Sequence, residues 1–168
     1  LMGKYAEANH DCIHKGLLKS LGAHALASIE NHHNFAWVEN HGGEDLIVHR
    51  KGATPASEGE LGVIPGSMTA PTYVVIGRGN ADSLRSSSHG AGRRMSRKKA
   101  KLKYRASDLR KAVEEAGVHL ISAGIDESPM VYKDIDQVMA AQRDLVETLA
   151  TFTPRIVRMA DPGEKPED

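Results

Sequence analysis

Leu61-Gly62-Val63-Ile64-Pro65-Gly66-Ser67-Met68-Thr69-Ala70-Pro71-Thr72-Tyr73-Val74-Val75-Ile76 is the stretch on which the fold turns. Two apolar, β-branched runs, Leu61–Ile64 and Thr72–Ile76, flank a tip built of Pro, Gly and Ser. Short runs of this kind, bounded by turn residues, read as strands. Toward the N-terminus the same signal recurs at Leu46-Ile47-Val48 and at Phe35-Ala36-Trp37-Val38. The connecting segments His41–Glu44, Gly52–Gly59, Pro65–Pro71 and Gly77–Ser88 are read as long glycine-rich loops, the places where binding chemistry tends to sit. Ahead of the strands, Met2 to Leu21 reads as a helix with Tyr5, Ala8, Cys12, Leu17, Leu18 and Leu21 facing inward, stopped by Gly22.

Beyond the strands the pattern turns helical. A basic helix is expected from Arg93 or Arg94 to Lys103. A second runs from Asp108 to Ala116, with Ser107 as its N-cap and Gly117 as its stop. Val118–Ile121 reads as a short strand, and Arg155–Met159 as a last one. From Asp134 to Leu149 the apolar residues recur at helical spacing, which predicts one long amphipathic helix. Strands first and helices after favour an α+β fold over a doubly wound sheet. The one Gly-x-Gly after a strand, Gly77-Arg78-Gly79, lacks the third glycine and the helix of a dinucleotide-binding fingerprint.

A chain of 168 residues is long enough for a domain with a real core. No apolar run approaches the roughly 20 residues of a membrane span, and the first residues lack a secretory pattern. The single cysteine, Cys12, excludes an internal disulfide and a thiolate zinc cage; it reads as a buried, inert thiol in a cytoplasmic protein. The formal net charge is zero, which argues against general polyanion binding. Yet between Arg85 and Lys111 the cations crowd together with Asp108 the one acid among them. Acidic residues collect in the C-terminal third, and residues 161–168 are expected to form a disordered acidic tail.

The residues that carry chemistry are histidines, glycines and cations. In Ser86-Ser87-Ser88-His89-Gly90-Ala91-Gly92-Arg93 a histidine stands between a hydroxyl run and a small-residue turn. Such a turn lets backbone N–H groups meet an anion, and the histidine could attack a phosphorus centre. From that string alone, a plain glycine-rich turn before a helix is the better reading. His32-His33-Asn34 is the densest histidine group, and in an extended strand only one of the two rings can serve a given site. One imidazole does not hold a transition metal, so partners would have to come from His10, Asp11, Cys12, His14, His41, His49 or from outside the chain. Arg50-Lys51-Gly52 sets two cations at a strand end, and Tyr132-Lys133 offers an aromatic face.

In order, His33-Asn34, Arg50-Lys51-Gly52-Ala53, Leu61–Met68, Ser88-His89-Gly90-Ala91-Gly92-Arg93, Met95-Ser96-Arg97, Glu127-Ser128-Pro129 and Tyr132–Asp136 resemble the RtcB family of RNA-splicing ligases, in spacing as well as identity. The resemblance implies that residues 1–160 are the C-terminal portion of an RtcB-like catalytic domain, with mixed sheet layers, glycine-rich loops and packed helices. It implies a ligase that uses GTP and Mn2+ to join RNA 2′,3′-cyclic phosphate or 3′-phosphate ends to 5′-hydroxyl ends, in tRNA splicing or RNA repair. His89 would be the nucleophile that accepts GMP, and His33 a manganese ligand. Asn34, Pro65, Gly66, Ser67, Met68, Thr72, Gly90, Ala91, Gly92 and Tyr132 would line the nucleotide, with His33 and His89. Arg50, Lys51, Arg93 and Arg97 would grip phosphates of nucleotide or RNA. The partners implied are RNA, an archease-type activator and a missing N-terminal half that completes the metal site. The family's other metal-ligand motifs are not in this sequence, and where the family ends in Lys-Gly this chain reads Arg158-Met159-Ala160. The alternative is a truncated or non-catalytic RtcB-like module that binds nucleotide or RNA.

Overall fold

The computed structural model describes residues 2–161; the expected tail, apart from Asp161, lies outside the described residues. The chain divides into two compact units, residues 1–30 and residue 31 onward.

The first unit holds helix α1, Met2–Leu21, ended where Gly22 takes a φ of 60°. The helix has the expected bounds, but its apolar face is not buried within the described residues. Tyr5, Leu17 and Leu21 are 72%, 56% and 75% exposed, and Cys12 is exposed rather than buried. His10 and His14 both turn to Glu30, with Nδ1–carboxylate distances of 3.1 and 3.5 Å.

The second unit is α+β. Strands β1 (Asn34–His41) and β2 (Glu44–Lys51) form an antiparallel hairpin. Gly42 and Gly43 close it with φ of 63° and 92°, so His41–Glu44 is a tight turn rather than a long loop. The next expected loop, Gly52–Gly59, contains β3 (Ala53–Pro55), and Gly77–Ser88 contains β6 (Ser86–Ser88), which pairs with it antiparallel. Strands β4 (Leu61–Pro65) and β5 (Thr72–Gly77) pair around the Pro-Gly-Ser tip. The side chain of Asn31 lies along the outer edge of β4, its Nδ2 donating to Val63 O and its Oδ1 accepting from Val63 N, both at 3.0 Å.

The helical half departs from expectation in three places. The basic helix α2 begins only at Arg97 and ends at Lys103, capped by the Ser96 hydroxyl. Arg93 cannot join it, because it pairs as a β-bridge with Tyr132 just after Gly92 at a φ of 72°. Helix α3 spans Ala106–Glu115; its start is held by the Asp108 carboxylate accepting from Arg105 N, so Ser107 lies inside the first turn. Strand β7 (His119–Ser122) follows. The long helix over 134–149 does not form. Helix α4 covers Ile135–Ala140 alone, and Val146–Phe152 is strand β8, antiparallel to β5. Pairing along β5 there outweighs a helical repeat of Leu145, Val146 and Leu149. Strand β9 (Ile156–Arg158) runs parallel to β7.

Two apolar clusters hold this unit. Ile64, Val75, Ala91, Ile135, Met139 and Val146 pack around the three-stranded sheet β4–β5–β8. Met68, Leu109, Val113 and Val118 pack under α3.

Candidate active site

A cleft of about 870 Å³ is lined by residues of both clusters, Ala91 from one and Met68 from the other. Its floor is the chain Pro65–Met68 facing His89–Gly92. These segments touch through backbone: Ala91 N donates to Pro65 O at 2.9 Å, and a Cβ on Gly90 would stand 2.9 Å from that carbonyl. Gly90 is thus required by close packing, and the Ala91 N–H is not free to meet an anion.

The pairing of β3 with β6 decides what stands beside His89. Ala53 opposes Ser88, so Gly52 meets His89. His89 Nδ1 lies 2.8 Å from Gly52 O. A carbonyl only accepts, so Nδ1 carries the proton and the neutral ring keeps its lone pair on Nε2. Gly52 N in turn donates to His33 O at 3.1 Å, and the His33 and His89 rings stack at 5.3 Å, inclined by 24°. Partial burial, then the neighbouring His89, His32 and Lys51, hold the His33 imidazole below its usual range, so it stays neutral at pH 7.

From the other side Gln142, buried just past α4, clamps the strand before His89. Its Oε1 accepts from Ser88 N at 3.0 Å and its Nε2 donates to Ser88 Oγ at 2.8 Å. Nothing in the local sequence singles out Gln142; only the packing of α4 under β6 brings it there.

One wall is an ionic knot. Glu127 accepts from the Tyr132 hydroxyl, from Arg97 and, at 3.4 Å, from Arg93. Asp126 takes Arg97 at 3.1 Å and Lys101 at 3.5 Å. The Arg93 guanidinium lies 5.3 Å from the Tyr132 ring centre. Burial and the bond to Glu127 push the Tyr132 phenol up to about 12. Burial alone would raise the Asp126 carboxyl, but Arg97 and Lys101 hold it below the usual carboxylate range. Glu127 is part of the Glu127-Ser128-Pro129 motif, but the sequence assigns no role to it or to Asp126.

A family model described as "tRNA-splicing ligase RtcB" matches residues 2–160. The chain belongs to the RtcB family. RNA-splicing ligase RtcB of Escherichia coli is 50% identical over 128 residues, 76% of this chain and 31% of that protein. The tRNA-splicing ligase RtcB of Nanoarchaeum equitans is 36% identical, over 73% of this chain and 31% of its own length. That of Pyrococcus furiosus is 35% identical, over 73% and 15%. The chain therefore spans less than a third of these curated relatives.

Against this RtcB frame, the structure brings His33, Pro65, Gly66, Ser67, Met68, His89, Gly90, Ala91, Gly92, Tyr132, Lys51, Arg93 and Arg97 to the cleft. Asn34, at the start of β1, and Thr72, at the start of β5, are not among its lining. Arg50 is a correction. It is 3% exposed and wholly engaged under the β1–β2 hairpin, with NH1 and NH2 donating to Glu39 at 2.5 and 2.9 Å, Nε to Ser86 Oγ at 2.8 Å and NH2 to Leu84 O at 2.9 Å. It also lies 5.1 Å from the Trp37 ring centre. That guanidinium is not among the residues lining the cleft. The sequence reading missed Gly52, Phe152, Pro154 and the β9 residues Ile156–Arg158, which close the cleft.

His33 is a suitable single donor for a metal, but manganese asks for more ligands. Among the described residues no group of three or more His, Cys, Asp or Glu could hold a metal ion. Nor, among the described residues, is any helix long and apolar enough to cross a membrane.

Proposed function

We propose that this chain is the nucleotide-accepting portion of a GTP- and manganese-dependent RNA ligase that joins 2′,3′-cyclic phosphate or 3′-phosphate ends to 5′-hydroxyl ends. The observation that carries the reading is the His89 ring, held through Nδ1 on Gly52 O at 2.8 Å with Nε2 left as the nucleophile. In this reading Nε2 attacks the α-phosphorus of GTP; the P–N bond forms as the P–O bond breaks, and pyrophosphate leaves with the electron pair. A 2′,3′-cyclic phosphate is first opened by water to a 3′-phosphate. A 3′-phosphate oxygen then takes GMP as the P–N bond breaks, and the 5′-hydroxyl attacks the RNA phosphorus, expelling GMP and losing its proton to solvent. Lys51, Arg93 and Arg97 neutralise phosphate charge. Tyr132 and the Pro65–Met68 turn flank the nucleotide, and Asn34 and Thr72 act only from beyond the cleft lining. His33, kept neutral, would contribute one ligand to manganese, with the other donors supplied from outside the described residues. An RNA substrate and a lone thiol suit the reducing cytoplasm, where we place it.

A second reading, a non-catalytic RtcB-like module, is favoured by one observation: the lack of a metal-ligand group among the described residues. Incubation with GTP labelled at the α-phosphorus, plus manganese, separates the two. We expect weak acid-labile labelling of the chain alone, strong labelling of a form extended to the relatives' full length, and none after His89→Ala. Label that survives His89→Ala, or no label on the extended form, overturns the ligase reading. Strong label on the chain alone overturns the need for outside donors.

A further inference from the structure

The cations between Arg93 and Lys103, apart from Arg94, which is exposed ahead of α2 and forms no ion pair with a described residue, fall into two sets. Arg93, Arg97 and Lys101 point at Asp126 and Glu127 and are paired there. Lys98, Lys99 and Lys103, on the remaining arc of α2, are exposed and form no ion pair with a described residue; Lys103 Nζ lies 5.2 Å from the Tyr104 ring centre. Leu102, 81% exposed, stands among them. The helix buries Ala100, at 0% exposure, and leaves these three lysines in solvent.

Nothing in the folding of α2 calls for this face. No acidic residue stands in its first turn, where the helix dipole favours one, and cations there are unfavourable. Lysines one turn apart repel. A short helix that keeps such charge against its own local stability departs from local consistency, as functional sites do. The same helix carries Arg97 into the cleft lining, so the outer lysines continue the cleft's charge outward.

We propose that the Lys98–Lys99–Lys103 face of α2 is the track on which the phosphodiester backbone of the RNA lies as its reacting end enters the His89 cleft. This rests on the RNA ligase reading. The paired arginines then shape the cleft, while the unpaired lysines hold the strand. At about 1.5 Å per residue the helix is long enough to meet roughly two or three phosphates.

The test is fluorescence anisotropy of the full chain with a short labelled single-stranded RNA bearing a 3′-phosphate, over a range of salt. Lys98→Gln/Lys99→Gln/Lys103→Gln is compared with Lys4→Gln/Lys15→Gln/Lys19→Gln, which removes the same charge from α1. We expect the α2 variant to bind about tenfold more weakly and to flatten the salt dependence of log K by roughly 2, as about three lost contacts to a single strand would. The α1 variant should match the unaltered chain. Equal effects from both variants, or none from the α2 variant, overturn the proposal. So does polyglutamate displaced by the same variant as readily as RNA, which would mark a site for acidic protein. An extended form that takes no label at His89, with the α2 effect intact, would sink the ligase reading and leave α2 as an RNA-binding face without its reaction.

Discussion

Two arginine–carboxylate knots stand within the second unit, and they differ in what surrounds them. Arg50 is sealed under the β1–β2 hairpin, its fork closed on Glu39 and its remaining donors on Ser86 and Leu84. Arg93 and Arg97 share Glu127 and Asp126 at the wall of an open cleft, with side chains 25% and 40% exposed. In sequence all three are cations beside glycine-rich segments. Burial and a dedicated carboxylate make the first a structural pin, whereas partial solvent contact leaves the other two able to exchange partners.

The largest expected effect tests the pin. Arg50→Ala should cost about 3 kcal/mol in urea unfolding, because Glu39 loses its bidentate partner and keeps only His41, at 2.9 Å; Arg50→Lys should recover only part of this, since the bidentate fork is lost. A near-neutral Arg50→Ala would put both knots in one class.

Next comes the closed state of the cleft knot. An acid whose folded pKa is raised contributes stability fully below its unfolded value, about 10 for tyrosine, and loses it as pH rises through the folded value. The Tyr132 phenol, at about 12, should therefore give a late phase in a near-ultraviolet titration. Tyr132→Phe should remove that late phase and shift alkaline unfolding. Superimposable titrations would mean that Glu127 does not hold the phenol.

The smallest effect is expected at Arg97→Ala, below about 1 kcal/mol of stability, because solvent screens a half-exposed pair. A loss as large as that of Arg50→Ala would show that α2 depends on the knot for its docking.

The knots also show what sequence could and could not convey. The β1–β2 and β4–β5 pairs were legible because β-branched runs end in Gly or Pro, and Gly117 marked the end of α3. Strand β8 was not, since Leu145, Val146 and Leu149 satisfy a helical period and only their pairing with β5 decides otherwise. At the site, His33 and His89 were legible as separate motifs. Their stacking was not, because it follows from the pairing of β3 with β6, two strands too short to show a pattern. Arg50 was misread since no local signal tells a buried guanidinium from an offered one.

Asn31 has a consequence of another kind. By presenting one amide donor and one amide acceptor to Val63, it imitates a neighbouring strand and occupies the middle of the β4 edge. The three-stranded sheet can then be extended in one direction only, beside β8, where Leu149 and Phe152 are 52% and 63% exposed. A single side chain thus works as a chain terminator for sheet growth, steering any added strand, and any misassembly between copies, to the opposite margin.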